Sequence, residues 1–201
     1  LGGRYGLNGG TANIVLRNAT VAGSWFDRLI LTAPMIRIAH QRLGYPPELV
    51  RAYAEVGWLM GLSRAYVLGG NDEPMEMKPF EGNPLTSDHE RWARNRAVID
   101  AAPHLALGSA TIGWLRGALR SCAMISAPGF AESVQVPALI FAAGADTVVS
   151  ARAADEFAVR LKIGMQVLLP NARHEILQEN DTVRQRFWAA FDAYMDVAAA
   201  A

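Results

Sequence analysis

The composition of this 201-residue chain is that of an ordinary folded protein, with 51% apolar and 19% charged residues. Basic and acidic residues number 19 each, so the formal net charge is zero, which argues against a nucleic-acid-binding protein. The single cysteine, Cys122, excludes an internal disulfide and favours a reducing, cytoplasmic location. No apolar run is long enough to cross a bilayer, which leaves only peripheral contact with the inner membrane open.

Three segments are predicted to be buried strands of a parallel sheet. They are short, rich in aliphatic residues and bounded by proline or glycine, as strands covered on both faces are. These segments are FDRLILTA (26–33), ALIFAA (138–143) and MQVLL (165–169).

Helical patterns lie between and after these strands. A short helix is predicted over 13–22, directly after a glycine-rich turn. Ser150 is a predicted N-cap for a helix that Gly164 would end, and a last helix is predicted to start near Asp181. Strands alternating with helices predict an α/β fold with a mainly parallel sheet and helices on both faces.

The stretch 35–135 interrupts this alternation. It carries helical patterns and no convincing strand, so we interpret it as an inserted helical cap or lid. The α/β core would then consist of residues 1–34 and 136–201. The predicted cap helices cover 49–60, 87–99 (opened by a capping-box pattern at Ser87) and 112–122.

An acid and a histidine follow two consecutive predicted strands. Asp146 lies in the loop after 138–143, and His174 lies in the loop after 165–169. Because ligands bind at the carboxyl ends of parallel strands, we expect the two side chains to lie close together there. A carboxylate that orients an imidazole is the supporting half of a catalytic triad. Taken singly, Asp146 would more often be a turn residue with an Asx hydrogen bond, and His174 an ordinary loop histidine.

Neither a metal nor another cofactor is expected. The remaining histidines, His40, His89 and His104, have no partners at the spacing of metal ligands. The glycine-rich turn over residues 6–10 lacks the Gly-Lys-Ser/Thr ending of a phosphate-binding loop. On spacing alone, that turn would more often be a simple corner between a strand and a helix.

Five stretches of the chain carry a family resemblance: FDRLILTAPMI (26–36), NPLTSDHERWARN (83–95), LALGSATIGWLRGAL (105–119), VPALIFAAGADTVVS (136–150) and ARHEIL (172–177). Together they resemble the α/β-hydrolase superfamily, and within it the bacterial lysophospholipase and monoacylglycerol lipase group, with its serine-aminopeptidase-like (S33) domain. In this resemblance Asp146 matches the family's catalytic acid and His174 its catalytic histidine. It implies hydrolysis of a small lipid-like carboxylic ester, such as a monoacylglycerol or a lysophospholipid.

The sequence departs from this family near its start, where the family carries a serine nucleophile in a G-x-S-x-G turn. The chain opens at Leu1 without methionine, and we expect N-terminal strands to be missing. An ungapped placement sets Asn8 where the serine belongs. A placement with a gap between Leu7 and Asn8 makes Asn8 and Gly9 the remains of the nucleophile elbow, with the Asn8 N–H as an oxyanion-hole donor. Neither placement supplies a nucleophile.

These observations predict a serine-type carboxylic ester hydrolase acting on monoacyl lipids, with His174 as the base and Asp146 as its orienting acid. The cap would supply an apolar pocket that includes Trp114, Met124 and Trp58, for which ordinary helix packing is the competing interpretation. One alternative is a catalytically inactive, hydrolase-like binding protein that lacks the nucleophile. Another is a hydrolase with an aspartate nucleophile, which the absence of an acid in the elbow disfavours.

Overall fold

The computed structural model describes residues 5–6, 11–39 and 44–199, and within them four parallel strands form one sheet. The strands lie side by side in chain order: β1 (Tyr5–Gly6), β2 (Arg28–Thr32), β3 (Ala138–Ala143) and β4 (Gly164–Leu169). The helices are α1 (Ala12–Asn18), α2 (Pro47–Leu59), α3 (His89–Ala101), α4 (Ile112–Ile125), α5 (Phe130–Ser133), α6 (Ala151–Arg160) and α7 (Asp181–Ala199). Short 3₁₀ helices cover Met75–Met77, Pro103–Leu105 and Ile176–Gln178.

Both faces of the sheet are covered by helices. Alternate strand residues point to opposite faces, so Leu31 and Ile140 join a buried cluster with α1, α5 and α6. Ile30 and Phe141 join a second cluster, with α7 and part of α4. The Phe141 ring packs against Phe187 of α7, with their centroids 4.4 Å apart. The predicted α/β fold, with helices on both faces of a parallel sheet, is confirmed.

All three predicted strands are present, and the one predicted over 165–169 is β4, which begins one residue earlier. The strand predicted over 138–143 is β3, and the one predicted over 26–33 is confined to β2. The prediction that Gly164 ends a helix was wrong, because α6 stops at Arg160 and Gly164 opens β4. A Cβ at Gly164 would lie 2.7 Å from the Cβ of Leu161, so glycine is required where the chain turns tightly into this strand.

Polar side chains move two helix boundaries from their predicted places. Helix α1 ends at Asn18, because the Asn18 side-chain oxygen accepts the Trp25 N–H at 2.8 Å and builds a turn there instead. Helix α3 is capped by Asp88 rather than Ser87. The Oδ1 of Asp88 accepts the Arg91 N–H at 2.9 Å, while Ser87 bonds elsewhere.

The residues described between β2 and β3 form helices and two isolated antiparallel bridges, Ile38 with Val149 and Tyr66 with Thr111. The three helices predicted there are α2, α3 and α4. The last turns of α4 belong to the core, since Cys122 and Ile125 are buried against opposite faces of the sheet. The division of the chain at residues 35 and 136 stays a prediction. In the described part of the chain, no helix is long and apolar enough to span a membrane.

Candidate active site

The side chains of Asp146 and His174 meet at the carboxyl edge of the sheet, each in the loop that follows its strand. The Nδ1 of His174 lies 2.8 Å from the Oδ2 of Asp146, a hydrogen bond in which Nδ1–H donates to the carboxylate. The Asp146 side chain is 1% exposed and the His174 side chain 20% exposed. The carboxylate is therefore shielded from water, while part of the imidazole stays accessible.

The second oxygen of Asp146 fixes the loop that carries it. Oδ1 accepts the backbone N–H groups of Val148 at 2.7 Å and Val149 at 3.0 Å, which is an Asx turn. The turn interpretation and the pairing interpretation of this aspartate are thus compatible. One oxygen closes the turn and the other holds the histidine.

A close backbone approach brings the two loops together. A Cβ on Gly144 would lie 2.5 Å from the Pro170 carbonyl oxygen and 2.7 Å from its Cα, so only glycine fits there. The Gly144 N–H donates to Leu169 O at 2.8 Å, and the Ala145 N–H donates to Ala172 O at 2.9 Å. These backbone hydrogen bonds set the distance between the Asp146 loop and the His174 loop.

The segment after β2 braces the Asp146 loop from its other side. The Ala39 N–H donates to Val148 O at 3.0 Å, and the Ser150 N–H donates to Arg37 O at 2.9 Å. Just before this segment, Ala33 adopts a φ of 42°, a left-handed conformation that is uncommon for a residue other than glycine. Such strain often occurs at functional sites, and here it lies at the carboxyl end of a central strand.

A buried glutamate joins the His174 loop to the segment before α3. Glu179 is fully buried, and its carboxylate accepts the Ser87 N–H at 3.0 Å, the Ser87 hydroxyl at 2.5 Å and the Arg173 N–H at 2.9 Å. It also accepts the Asn180 N–H at 3.2 Å. A buried carboxylate supplied with this many donors is a strong cross-link between two segments.

The backbone around His174 is bonded to the same segment. The His174 N–H donates to Pro84 O at 3.3 Å, and the Glu175 N–H donates to Leu85 O at 2.8 Å. The Arg173 guanidinium donates to the carbonyl oxygens of Asn83 at 2.8 Å and Thr86 at 2.9 Å. The segment 83–87 thus determines the position of the histidine.

Arg91 extends this cross-link to the start of α7. Its guanidinium donates to Asp88 Oδ2 at 2.6 Å, to Glu179 O at 2.9 Å and to Asp181 Oδ1 at 2.6 Å. The hydrogen bond from the Arg91 N–H, together with the charge of its guanidinium, holds the pKa of Asp88 below its usual value. We call the polar cross-link centred on Glu179 and Arg91 the histidine clamp.

The residues of the histidine clamp were not among those selected from the sequence as functional. The family-resemblance stretches 83–95 and 172–177 cover part of the clamp, and both are rich in polar residues, but neither signal assigns these residues a role. The partners are about ninety residues apart in the chain, so spacing along the sequence does not reveal that they are in contact.

Glu175, next to His174, is a second carboxyl group at the site. Burial raises its pKa above the ordinary value; the neighbouring His174 opposes this effect, and the nearby Glu76 carboxylate adds to it.

A cavity of about 750 Å³ begins at the Asp146 loop and extends under α2 and α4. Val148 and Val149, whose N–H groups bond to Asp146, form part of its wall. The lining is mostly apolar, and Lys78 is the single charged side chain among the described residues that line it. Others in the lining are Met35, Val50, Tyr53 and Trp114.

The other predicted site residues lie in different places. Trp114 lines this cavity, whereas Trp58 and Met124 are not among the described residues that line it. Trp58 is instead covered by the Arg116 guanidinium, 4.0 Å above its ring, and Met124 is 46% exposed on α4. The helix periodicity gave no information on which side of each helix faces the cavity. Asn8 and Gly9 lie outside the described residues.

No metal centre is evident in the described residues. Among them, no three histidine, cysteine, aspartate or glutamate side chains are arranged to hold an ion. Cys122 is buried, its thiol donates to Met35 O at 3.2 Å, and burial raises its pKa.

Solved structures similar to this chain include lipases and a carboxyl esterase. A soluble variant of monoglyceride lipase from Saccharomyces cerevisiae, in complex with a substrate analogue, matches with a TM-score of 0.70 and 17% identity, covering 96% of this chain and 63% of that one. The monoacylglycerol lipase of Paleococcus ferrophilus matches with a TM-score of 0.66 and 14% identity, covering 94% of this chain and 67% of that one. A highly thermostable carboxyl esterase from Bacillus coagulans, in complex with glycerol, matches with a TM-score of 0.62 and 18% identity. The match covers 96% of this chain and 63% of that one.

The chain thus spans 63% of the length of the yeast lipase. At these identities the structural matches establish the fold. No curated protein matches the sequence. The model of the serine aminopeptidase (S33) family matches residues 9–181, which include both Asp146 and His174. The chain belongs to this serine aminopeptidase (S33) family of the α/β-hydrolase superfamily.

Proposed function

We propose that this chain is part of a serine-type carboxylic ester hydrolase, in which His174 is the general base and Asp146 the acid that orients it. The observation that carries the proposal is the 2.8 Å hydrogen bond between His174 Nδ1 and the buried Asp146 carboxylate. An imidazole that donates from Nδ1 keeps the lone pair of Nε2 for a proton from a nucleophile.

The reaction would proceed in two acyl-transfer steps. In the gapped placement, an elbow serine that this sequence does not contain would lie between Leu7 and Asn8. That serine would attack the ester carbonyl carbon while His174 Nε2 takes its proton. The tetrahedral intermediate collapses, and the proton passes from Nε2 to the leaving alcohol, which leaves an acyl-serine. Water then attacks with the same proton transfers and releases the fatty acid. In the gapped placement, the Asn8 N–H would stabilise the oxyanion.

The proposed substrates are monoacyl lipids, namely monoacylglycerols or lysophospholipids. The helical segment 35–135 acts as the cap, and the cavity between α2, α4 and the Asp146 loop takes the acyl chain. Support comes from its apolar lining and its volume of about 750 Å³, within the range of small-molecule sites. Each methylene buried there would contribute about 0.8 kcal/mol.

Hydrolysis of a monoacylglycerol by a full-length natural protein with an intact serine elbow tests this proposal. Replacing His174 with alanine should lower kcat on the order of 10⁶-fold, because the serine then has no base. His104→Ala is the matched control, since His104 is exposed in a short 3₁₀ helix, and it should keep full activity. Activity retained by the His174 variant would exclude the proposed mechanism.

The second candidate is a catalytically inactive binding protein of the same fold. It is favoured by Asn8, which takes the place of the serine in the ungapped placement. A fluorophosphonate probe separates the two candidates, since it labels an activated serine covalently. If neither the natural protein nor its Asn8→Ser variant is labelled while lipid binding persists, the binding protein is the better description.

A further inference from the structure

A second concave surface lies between α2 and α4, on a different face of this helix pair from the apolar cavity. It has a volume of about 220 Å³. Its α2 wall follows the i, i+3, i+4 spacing of one helix face, and so does its α4 wall. We call it the arginine groove; its lining residues are Arg51, Ala54 and Glu55 of α2, and Arg116, Leu119, Arg120 and Ala123 of α4.

The groove holds an excess of positive charge. Three guanidinium groups line it together with a single carboxylate, that of Glu55. The Oε2 of Glu55 accepts from Arg116 Nε at 2.7 Å, and its Oε1 lies 3.9 Å from Arg120 Nη1. Among the described residues, no other acid is within ion-pair distance of these arginines. The chain as a whole has no net charge, so this local excess is not a general property of its surface.

Arg116 is held in place before any ligand arrives. Its guanidinium stacks on Trp58, with Cζ 4.0 Å from the ring centroid, and its Nε is fixed by Glu55. The side chain is only 20% exposed. Neither terminal nitrogen, Nη1 or Nη2, has a hydrogen-bond partner within the described part of the chain. Two parallel donors remain available in a fixed orientation, the arrangement that suits a bidentate oxyanion.

We propose that the arginine groove binds a phosphate group. Arg116 would contact two phosphate oxygens, while Arg51 and Arg120 supply the further positive charge that a phosphate requires. A carboxylate has two oxygens and one charge, which Arg116 alone would satisfy, so the three arginines favour phosphate. The phosphate belongs either to a soluble phosphate ester or to a phospholipid headgroup. This site is separate from the proposed ester hydrolysis and does not depend on a nucleophile.

Calorimetric titration with inorganic phosphate and with glycerol 3-phosphate, at constant ionic strength, tests the site. Saturable binding is expected, and the Arg51→Gln/Arg120→Gln double variant should weaken it by at least about tenfold, since hydrogen bonds to charged groups are worth this much or more. Arg152→Gln/Arg160→Gln on α6 is the matched control, because it removes the same charge from a helix outside the groove, at two positions that are not buried. That variant should bind as the unmodified chain does.

Vesicle sedimentation identifies the source of the phosphate. Suppose that the chain binds phosphatidylglycerol vesicles but not phosphatidylcholine vesicles, and that the Arg51/Arg120 variant loses this binding. The groove is then assigned to an anionic lipid headgroup. Binding of the soluble phosphates with the same loss assigns it to a soluble phosphate ester. The proposal is overturned if neither ligand form binds, or if the Arg51/Arg120 variant binds as well as the unmodified chain. Thermal unfolding of each variant by circular dichroism verifies that it is folded.

Discussion

The loops that hold Asp146 and His174 and the wall of the apolar cavity are built in different ways. The loops are fixed by backbone hydrogen bonds, a glycine contact and the buried Glu179 carboxylate. Parts of the cavity wall are exposed apolar side chains, with Leu68 81% and Leu49 59% exposed. A rigid polar pair beside an uncovered apolar wall is an arrangement in which chemistry depends on precise geometry and affinity depends on apolar contact.

After the His174→Ala variant, the largest effect is expected from changing the other member of the polar pair, Asp146. Asp146→Asn should lower kcat on the order of 10⁴-fold with little change in KM, because the amide no longer stabilises the correct tautomer and charge of His174. Steady-state kinetics of the natural protein on a monoacylglycerol measure this. Asp155→Asn, an exposed position on α6, should have no effect. A loss smaller than tenfold at Asp146 would argue against its proposed role.

Removing the centre of the histidine clamp should destabilise the whole fold. Glu179→Ala leaves the Ser87 and Arg173 N–H groups buried without an acceptor, so the free energy of unfolding should fall by about 3 kcal/mol. Urea denaturation measures the change. The control Glu156→Ala removes a half-exposed carboxylate and should cost about 0.5 kcal/mol or less. Equal effects of the two substitutions would show that the clamp contributes little.

Two glycine-to-alanine substitutions should change the free energy of unfolding in opposite directions. Gly144→Ala forces a Cβ against the Pro170 backbone and should cost about 2 kcal/mol of unfolding free energy. Gly117→Ala, within α4, meets no atom within 4 Å and should gain up to about 1 kcal/mol. Urea denaturation of both variants gives the comparison. A tolerated Gly144→Ala would contradict the close approach of the two loops.

A substitution in the cavity wall should change the affinity for the lipid rather than the free energy of unfolding. Leu49→Trp places a larger side chain at an exposed position of the lining, so the fold should tolerate it while a long acyl chain loses room. If about two methylenes of the acyl chain are no longer buried, binding weakens by roughly tenfold. Fluorescence titration with a long-chain monoacylglycerol measures this. The control is Leu107→Trp, at a position that is also exposed but outside the lining, and this variant should bind normally. A similar loss of affinity there would contradict the proposal that the cavity binds the acyl chain.

The smallest expected effect is a pH dependence at Glu175. Its pKa is raised by burial, so above its ordinary value of 4.5 the folded chain keeps a proton that the unfolded chain has lost. The free energy of unfolding therefore decreases as the pH rises through that interval. Glu175→Gln should remove this decrease, so the variant gains stability relative to the parent chain as the pH rises above 4.5.

Urea denaturation at pH values below and above 4.5 measures the Glu175 effect. Glu132→Gln, an exposed position on α5, is the control and should follow the parent chain. A Glu175 variant with unchanged pH dependence would show that burial does not govern this group.

The central parts of the fold could be predicted from the sequence because their signals are local. The apolar run of β3 and the N-cap of α6 are examples, and Ser150 Oγ does accept the Ala153 N–H at 3.2 Å. The proximity of Asp146 and His174 follows from a topological rule, since consecutive parallel strands place their carboxyl ends at one edge. The strand and the cap needed only local residue patterns, and the Asp146–His174 pair needed only the order of elements along the chain.

The rest of the fold and of the candidate site depends on contacts between residues that are distant in the sequence. Ser87 matched a capping pattern, but it bonds Glu179 across the fold, and Asp88 caps the helix instead. Trp58 and Trp114 both sit on amphipathic helices, yet only the packing of α2 against α4 decides that Trp114 faces the cavity while Trp58 supports Arg116. Such choices arise from tertiary packing, which local periodicity does not encode.

The order of the sheet also constrains how this chain can fold. Strands β2 and β3 pair directly, Leu29 with Ala138, although the whole helical segment lies between them in the chain. Closing a loop of this length carries an entropic cost that grows with its logarithm, about 4 kcal/mol for a hundred residues. That term shrinks when α2, α3 and α4 compact the intervening chain first. The segment that forms the cavity wall is thereby expected to assist folding, and substitutions that loosen it should slow refolding more than those in β4.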